Sequence, residues 1–280
     1  MKLTVEPGGG YRPQIAVGRD DVLHVVYYER TDAGDLIRHR TLPSGGAWSA
    51  PAELGFGSDR NWGPDLVARA DGTLVVSFDH ALPDFSSRAW LTIWRDGVWS
   101  SPTALTIDDG GEVGSGHVAN VGGDDLAIVW IGKPLDEHAK FRAFWRWRTN
   151  GAWSLPVAFT DGSDDAWHSN VERRPDGSVL AGWDVGQGGM ATTLFVAEGR
   201  DGRFSPPEIL AGEDHAGERP HFAFGADGVD HVTWFHKDRG IPTSVYVRSG
   251  RPGQWGAVEE PSAGYGGFHF DPEIAINSNG

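Results

Sequence analysis

The chain has 280 residues, a formal net charge of −15, 40 Gly, 13 Trp and no Cys. With 39 % hydrophobic and 22 % charged residues it can bury a large core, which excludes a disordered chain. The lack of Cys excludes disulfides and Cys-based zinc sites. The acidic charge argues against nucleic acid or an anionic membrane surface as a partner, because either would need a basic surface.

The N-terminus has no apolar run of signal-peptide length, and no later segment approaches 18 apolar residues. We therefore expect no membrane association and a cytoplasmic protein. Secretion is the alternative if a signal was removed from the sequence.

Two phrases recur along the whole chain. One is GGAWSAP, at residues 45–51, and its aromatic residue recurs at steps of 51, 54, 51 and 51: Trp48, Trp99, Trp153, Phe204 and Trp255. The other is PQIAVGRDDVLHVVYY, at residues 13–28, and each copy ends near an aromatic residue. These aromatic residues are 51, 52, 53 and 51 positions apart: Tyr27, Phe78, Trp130, Trp183 and Trp234. A fixed period of this length predicts a repeat architecture.

Each repeat predicts four short strands. The first, such as residues 15–17, passes through a turn such as Asp71-Gly72 into a β-branched-rich second strand, which is a strong hairpin signal. A fourth strand is expected to begin at each Trp-Ser. Gly and Pro interrupt nearly every window in which a helix could form. Third strands are predicted at 36–40, 89–94, 141–148, 193–197 and 244–247.

Four-stranded units repeated about every 51 residues are typical of an all-β propeller. We predict one domain over residues 1–280 with five blades. The alternative is a sixth, abbreviated blade built from residues 272–276 and 3–6. The repeated aromatic residues are expected to fill the spaces between blades, because large rings bury much area.

The residues at one end of the blades differ between repeats, whereas the framework does not. The residue before each first-strand proline position is Arg12, Gly63, Ser115, His168, Arg219 or Asp271, and the residue after it is Gln14, Asp65, His117, Asn170, His221 or Glu273. Adjacent to these lie Tyr11, Trp62, Trp167, Glu218 and His269. This divergence favours one asymmetric central pocket over five equal ones.

Loops between the second and third strands are expected to reach the same end. They carry Tyr28, Glu29, Asp79, His80, Lys133, Asp184, His236, Lys237 and Asp238. Six histidines therefore fall at the predicted mouth: His80, His117, His168, His221, His236 and His269. The histidines at positions 24, 39, 231, 138 and 215 are explained by packing or by solvent exposure.

Neutral imidazoles beside arginines suit proton abstraction from a substrate whose carboxylate an arginine binds. Asp79 and Asp184 occupy one repeat position and could flank a sugar as acid, base or nucleophile, or could cap a turn. The candidate catalytic residues include His168, His117, His221, Asp79 and Asp184. The candidate substrate-binding residues are Arg12, Arg219, Trp62, Trp167, His80, His236 and His269.

No cofactor is predicted from the sequence. Converging imidazoles could bind a transition metal, with His117, His168, His221 and His269 as the candidate ligands. The sequence contains no HxxxH or HxH ligand pair, so the fold itself would have to bring these side chains together.

The repeats resemble the bacterial neuraminidase repeat, or sialidase-like, superfamily of β-propellers. YRPQIAV at 11–17 resembles the arginine-proline opening of sialidases, and DAWHSNVERRPDGSVLAGWD at 165–184 resembles the histidine-bearing blade of propeller polysaccharide lyases. The resemblance implies a glycan lyase or hydrolase. It implies His168 and His117 as base or carboxylate neutraliser, Arg12 and Arg219 as carboxylate partners, and Tyr28 as proton donor.

The sequence departs from sialidases themselves. Their aspartate box is shortened at 96–99 and 201–204, Arg60 is the only candidate for a third mouth arginine, and there is no secure Tyr and Glu nucleophile pair. We expect an enzyme that acts on a carbohydrate or similar polar small molecule, with that molecule or an oligosaccharide as its ligand.

Two alternatives come from other classes. One is a multivalent propeller lectin, which the ending PEIAINSNG resembles, although a lectin should repeat its ligand contacts in every blade. The other is an intracellular cyclase or isomerase of a small metabolite, with or without a metal.

Overall fold

The computed structural model describes residues 10–32, 34–56, 60–82, 87–105, 112–134, 136, 138–187, 190–238, 241–269 and 271–276. Within these ranges the only helix is a 3-10 turn at Arg19–Asp21, and the other regular elements are strands. None of the described helical residues forms an apolar segment long enough to cross a membrane.

The strands of the described residues form five antiparallel sheets, one for each sequence repeat. Sheet 1 has β1 (Gly10–Val17), β2 (Leu23–Thr31), β3 (Gly34–Leu42) and β4 (Ala52–Leu54). Sheet 2 has β5 (Asn61–Ala68), β6 (Leu74–Ala81), β7 (Ser87–Arg95), β8 (Val98–Trp99) and β9 (Thr103–Ala104). Sheet 3 has β10 (Glu112–Gly122), β11 (Asp125–Lys133), β12 (Arg142–Thr149), β13 (Ala152–Trp153) and β14 (Val157–Ala158).

Sheet 4 has β15 (Asp165–Arg173), β16 (Val179–Gln187), β17 (Met190–Arg200), β18 (Arg203–Phe204) and β19 (Glu208–Ala211). Sheet 5 has β20 (Glu218–Phe224), β21 (Asp230–Asp238), β22 (Ile241–Gly250) and β23 (Val258–Glu259). In every sheet the first four strands are neighbours in chain order, and β9, β14 and β19 pair with the third strand of their sheets. The predicted hairpins and third strands are thereby confirmed.

The chain divides into two compact units, Met1–Val118 and Ala119–Gly280, and the boundary falls within β10. The first unit contains sheets 1 and 2. The second unit contains sheets 4 and 5.

The expected start of the fourth strand at Trp-Ser is wrong. In sheets 2 to 4 the repeated aromatic residue ends a two-residue strand, and the serine after it accepts a hydrogen bond at Oγ from the third strand. A proline two residues later has no N–H to continue the ladder, so pairing resumes only beyond it. In sheet 1, Ser49 makes the same contact with the N–H of Thr41 at 3.0 Å.

The aromatic residues that close the second strands form the core. These side chains are between 0 % and 4 % exposed: Tyr27, Phe78, Trp130, Trp183 and Trp234. The other repeated aromatic residues are half-buried and pack between neighbouring sheets. Phe204 of sheet 4 contacts Trp147 of sheet 3 at 5.5 Å between ring centres, and Trp99 of sheet 2 contacts His39 of sheet 1 at 5.1 Å.

The first strands share a β-bulge that the sequence analysis did not predict. In sheet 1, Tyr11 pairs with Tyr28 and Gln14 pairs with Val26, so two residues of β1 oppose one residue of β2. The same register shift recurs in sheets 2, 4 and 5, always opposite the buried aromatic residue. The first bulged residues are Arg12, Gly63, His168 and Arg219. Because a bulge bends a strand and redirects its side chains, these bulges orient the positions that vary between repeats.

The sixth-blade alternative is not confirmed. Residues 272–276 are described and have no regular strand, whereas residues 3–6 lie outside the described ranges. Asp271 has a φ of 37°, the left-handed conformation also found at Gly63 and Arg219 in the bulges. The blade count therefore stays a prediction.

Candidate active site

His168 and Asp184 form a hydrogen-bonded pair in the second unit. The β15 bulge brings the His168 Nδ1 within 3.2 Å of Oδ1 and 3.4 Å of Oδ2 of Asp184, whose side chain is fully buried. When Asp184 is ionised, its carboxylate can only accept, so Nδ1 of a neutral His168 then carries the proton and Nε2 keeps the lone pair. Burial raises the pKa of Asp184, and the neighbouring His168 opposes that rise. The pair can therefore orient His168 as a proton acceptor.

Glu218 links this pair to a lysine. Its Oε2 lies 2.6 Å from Lys237 Nζ and 3.9 Å from His168 Nδ1, and its side chain is 4 % exposed. His168 and Lys237 are each 28 % exposed. The two carboxylates are thus enclosed, while the groups that face outward are nitrogen groups.

Arg219 lies in the β20 bulge beside the same carboxylate. Its backbone N–H points to Asp184 Oδ1 at 3.5 Å, and its guanidinium pairs with Asp271 at 3.1 Å. Its φ of 57° is left-handed, a conformation that costs a non-glycine residue about 1–2 kcal/mol. Sheet 2 has Gly63, with a φ of 58°, at the same repeat position. The strain at Arg219 therefore points to a use for its side chain.

His221 follows this bulge and faces the C-terminal segment. Its Nδ1 lies 3.3 Å from Oε2 of Glu273. Burial lowers the pKa of His221, but the hydrogen bond and charge of Glu273, with the charges of Glu172 and Asp271, outweigh it and raise the pKa above its ordinary value.

The first unit holds a separate group of predicted site residues. Arg12 is left-handed at a φ of 46°. A Cβ placed on Gly63 would lie 3.9 Å from Arg12 Nη1 and 3.3 Å from Oδ2 of Asp79, which is 1 % exposed. Glycine at position 63 therefore leaves room for both groups. Tyr28 stacks on Tyr11 at 5.1 Å between ring centres.

His117 also lies in the first unit, where its Nδ1 is 3.6 Å from Oδ2 of Asp65. That oxygen accepts the backbone N–H of Val118 at 2.9 Å, so Asp65 links two neighbouring first strands. The His117 side chain is 27 % exposed.

The three histidines predicted to bind substrate each contact another group of the protein. His80 is 6 % exposed, lies 3.1 Å from Asn61 Oδ1 and packs against Phe56, which places it in the core rather than on an exposed rim. His236 contacts the backbone carbonyl of Ala216 through Nδ1. His269 is half-buried, and its Nε2 lies 3.4 Å from the carbonyl of residue 265.

The two predicted substrate-binding tryptophans lie opposite the two predicted catalytic aspartates, and the predicted metal ligands do not form a cluster in the described residues. Trp62 and Trp167 are half-buried and pair in register with Asp79 and Asp184, respectively. Across the part of the chain that the structure describes, no group of three or more His, Asp or Glu side chains is arranged to hold a metal ion.

The sequence named Glu218 and Lys237 as mouth residues without giving them a role. Their ion pair depends on the bulge, which sets Glu218 opposite Phe235 in the register of sheet 5. Sequence spacing alone carries no signal for that contact.

No protein-family model matches this chain, and no curated protein matches it either. Solved structures do match. The Fusarium graminearum α-L-arabinofuranosidase Arb93A is 13 % identical with a TM-score of 0.63, over 99 % of this chain and 84 % of the other. A family PL25 ulvan lyase is 11 % identical with a TM-score of 0.61, over 85 % and 66 % of the two chains. The Hadza microbial sialidase Hz136 is 13 % identical with a TM-score of 0.56, over 81 % and 54 %.

The fold is that of the sialidase-like β-propellers. This agrees with the resemblance seen in the repeats. At these identities the similarity establishes the fold of this chain, and fold by itself does not specify chemistry.

Proposed function

We propose that this chain is a glycan-acting enzyme that cleaves an acidic polysaccharide by β-elimination, with His168 as the general base. The similar structures include an arabinofuranosidase, a sialidase and an ulvan lyase seen with a GlcA-Rha3S repeat, which supports a carbohydrate substrate. The observation that carries the proposal is the contact of His168 Nδ1 with buried Asp184, since it leaves Nε2 as the proton-accepting atom.

The distribution of charge favours elimination over hydrolysis. A typical glycosidase presents two carboxyl groups to the scissile bond. Here Asp184 is fully buried against His168, and Glu218 is 4 % exposed and held by Lys237. Around Asp184 the outward-facing groups are the His168 imidazole, the Lys237 ammonium and the Arg219 guanidinium, and a substrate carboxylate would replace the exposed Asp271 as the partner of Arg219.

The reaction begins at the carbon next to the uronate carboxylate. Nε2 of His168 takes the C5 proton, the electrons of that C–H bond form the C4–C5 double bond, and the C4–O bond breaks. The departing oxygen takes a proton from the His168 imidazolium, which restores the base. Arg219 binds the carboxylate and stabilises the charge that develops on it as the proton leaves.

The sequence resemblance implies Arg12 as a carboxylate partner and Tyr28 as a proton donor. Both lie in the first unit, and their roles stay predictions that the step at His168 does not use. The stacking of Tyr28 on Tyr11 and the room for Arg12 over Gly63 support ligand-facing roles for both.

The test uses uronate-containing polysaccharides and measures the ultraviolet absorbance of the unsaturated product. His168→Ala should lower the rate by about 10²-fold or more, since general base catalysis typically contributes that much. His138→Ala is the matched control, because it removes an exposed imidazole of the same unit that lies outside the site.

Two outcomes would refute the proposal. New reducing ends without an unsaturated product would indicate a hydrolase. Several equivalent binding sites per chain without turnover would indicate the lectin alternative.

A further inference from the structure

A cleft of about 400 Å³ opens between sheets 1 and 2, within the first unit. It lies at the end of β1 where the chain turns into β2, and Arg12 lies towards the other end of β1. The volume is within the range of small-molecule sites. The cleft is therefore at the opposite end of β1 from Arg12, and none of its lining residues is assigned to catalysis.

The walls of the cleft are held in place by close contacts. The stem of Arg19 packs on Gly72, where an added Cβ would come within 3.2 Å of the Arg19 Cβ. The ring of Trp94 lies 5.7 Å from that of His24, which is 4 % exposed and stacks on His39. Trp94 therefore stands against a packed pair of imidazoles.

The charges around the cleft balance. Arg19 and Arg95 line it together with Asp71 and Asp96. The N–H of Thr73 holds the pKa of Asp71 below its ordinary value, so Asp71 is ionised at neutral pH. Guanidinium groups donate hydrogen bonds and carboxylates accept them. These four side chains can therefore donate to the oxygen of a hydroxyl group and accept from its hydrogen.

We propose that this cleft is a second glycan-binding site that takes a neutral sugar unit. Equal numbers of acidic and basic side chains disfavour a strongly charged ligand, and four ionised groups disfavour an apolar one. A sugar offers many hydroxyl groups together with an apolar face that can lie against Trp94. The choice of a glycan, rather than another polyol, rests on the proposed function.

The comparable crevice in the second unit is smaller. Between sheets 4 and 5 it measures about 130 Å³, and Arg174 lies over the Phe224 ring at 5.7 Å. Arg200, at the repeat position of Arg95, pairs with Asp176 at 2.6 Å. The space between sheets 4 and 5 is thus smaller in volume than the cleft between sheets 1 and 2.

A second site of this kind would tether a polymer. One bound segment raises the effective concentration of the rest of the chain at the catalytic groups without any new contact there. Loss of the cleft should therefore weaken action on a polymer more than action on a short oligosaccharide.

The experiment measures binding of arabinobiose, cellobiose and rhamnose by calorimetry in a His168→Ala background, so that turnover does not interfere. We expect one saturable site for at least one of these sugars. Arg19→Ala should weaken it at least about tenfold, since the variant loses a hydrogen bond from a charged group to the sugar. Arg200→Ala is the matched control and should leave affinity unchanged.

The variants are chosen so that loss of folding does not imitate loss of binding. Arg19 is exposed, and the melting temperature of the variant should match its parent. No binding of any of the three sugars, or binding that Arg19→Ala leaves unchanged, would overturn the proposal. If His168→Ala leaves catalysis intact while Arg19→Ala abolishes sugar binding, the cleft stands and the proposed function fails.

Discussion

Replacing Arg219 by Gly should produce a protein that is more stable than the Ala variant yet equally inactive. Arg219 has a φ of 57°, and alanine at that φ keeps the steric strain between Cβ and the backbone. Glycine removes the strain. Both variants lose the guanidinium that we assign to the substrate carboxylate, so the two effects separate.

The expected difference can be worked out from the local contacts. Relief of the left-handed strain favours Gly over Ala by about 1–2 kcal/mol. The greater freedom of Gly in the unfolded chain opposes this by about 0.5–1 kcal/mol. The ion pair with Asp271, at 3.1 Å, is lost in both variants and cancels. Taking the middle of each range, the free energy of unfolding of Arg219→Gly should exceed that of Arg219→Ala by about 0.75 kcal/mol.

Urea denaturation gives the free energy of unfolding, and kcat/KM on the polysaccharide gives the activity. His168 is the matched control for stability, because it occupies the same bulge position without a positive φ. At position 168 the free energy of unfolding of the Ala variant should exceed that of the Gly variant, as is usual where φ is negative.

An Arg219→Ala variant as stable as Arg219→Gly would contradict the prediction, because the strain would then be absent. A wild-type kcat/KM in either variant would contradict it as well. In that case the left-handed arginine would have no role in binding the substrate.

Two further predictions concern stability. Burial, with the nearby His24, lowers the pKa of His39 to about 4, so below pH 6.5 the unfolded chain takes up a proton that the folded chain does not. The free energy of unfolding should fall by about 3 kcal/mol between pH 7 and pH 4, and urea titrations of His39→Gln should lack this part of the fall. Asp230→Asn should destabilise the fold by about 3 kcal/mol, because Arg174, 2 % exposed, then keeps only the 36 % exposed Glu198 as its ionic partner. Asp176→Asn, at an exposed pair, should cost under about 1 kcal/mol. Equal losses for the two Asp variants would contradict this.

The repeat pattern anticipated most of the secondary structure because its signals are local. Asp-Gly turns such as Asp71-Gly72 join β-branched segments, and Gly72 has the positive φ of 87° that such a turn requires. The spacing of the aromatic residues located the core for the same reason, since alternate residues of a strand face one side. The fourth strand was misplaced because the break depends on how Ser and Pro contact the third strand.

The candidate site was only partly accessible to the same reasoning. The sequence picked out His168, Asp184 and Arg219 as neighbours by repeat position. It also placed His80 among them, and His80 is buried beside Phe56. Repeat position says where a residue lies along its blade, but the packing around that position decides how far its side chain is exposed.

The amino-acid sequence by itself determined the period, the hairpins and the aromatic core, because each follows from residues close together along the chain. The tertiary structure alone decided that two residues oppose one in the first strands, that Arg219 is left-handed and that His168 meets a buried carboxylate. A bulge is a property of the register between two strands, and burial depends on side chains that are distant in sequence. Neither can therefore be predicted from one segment of the chain.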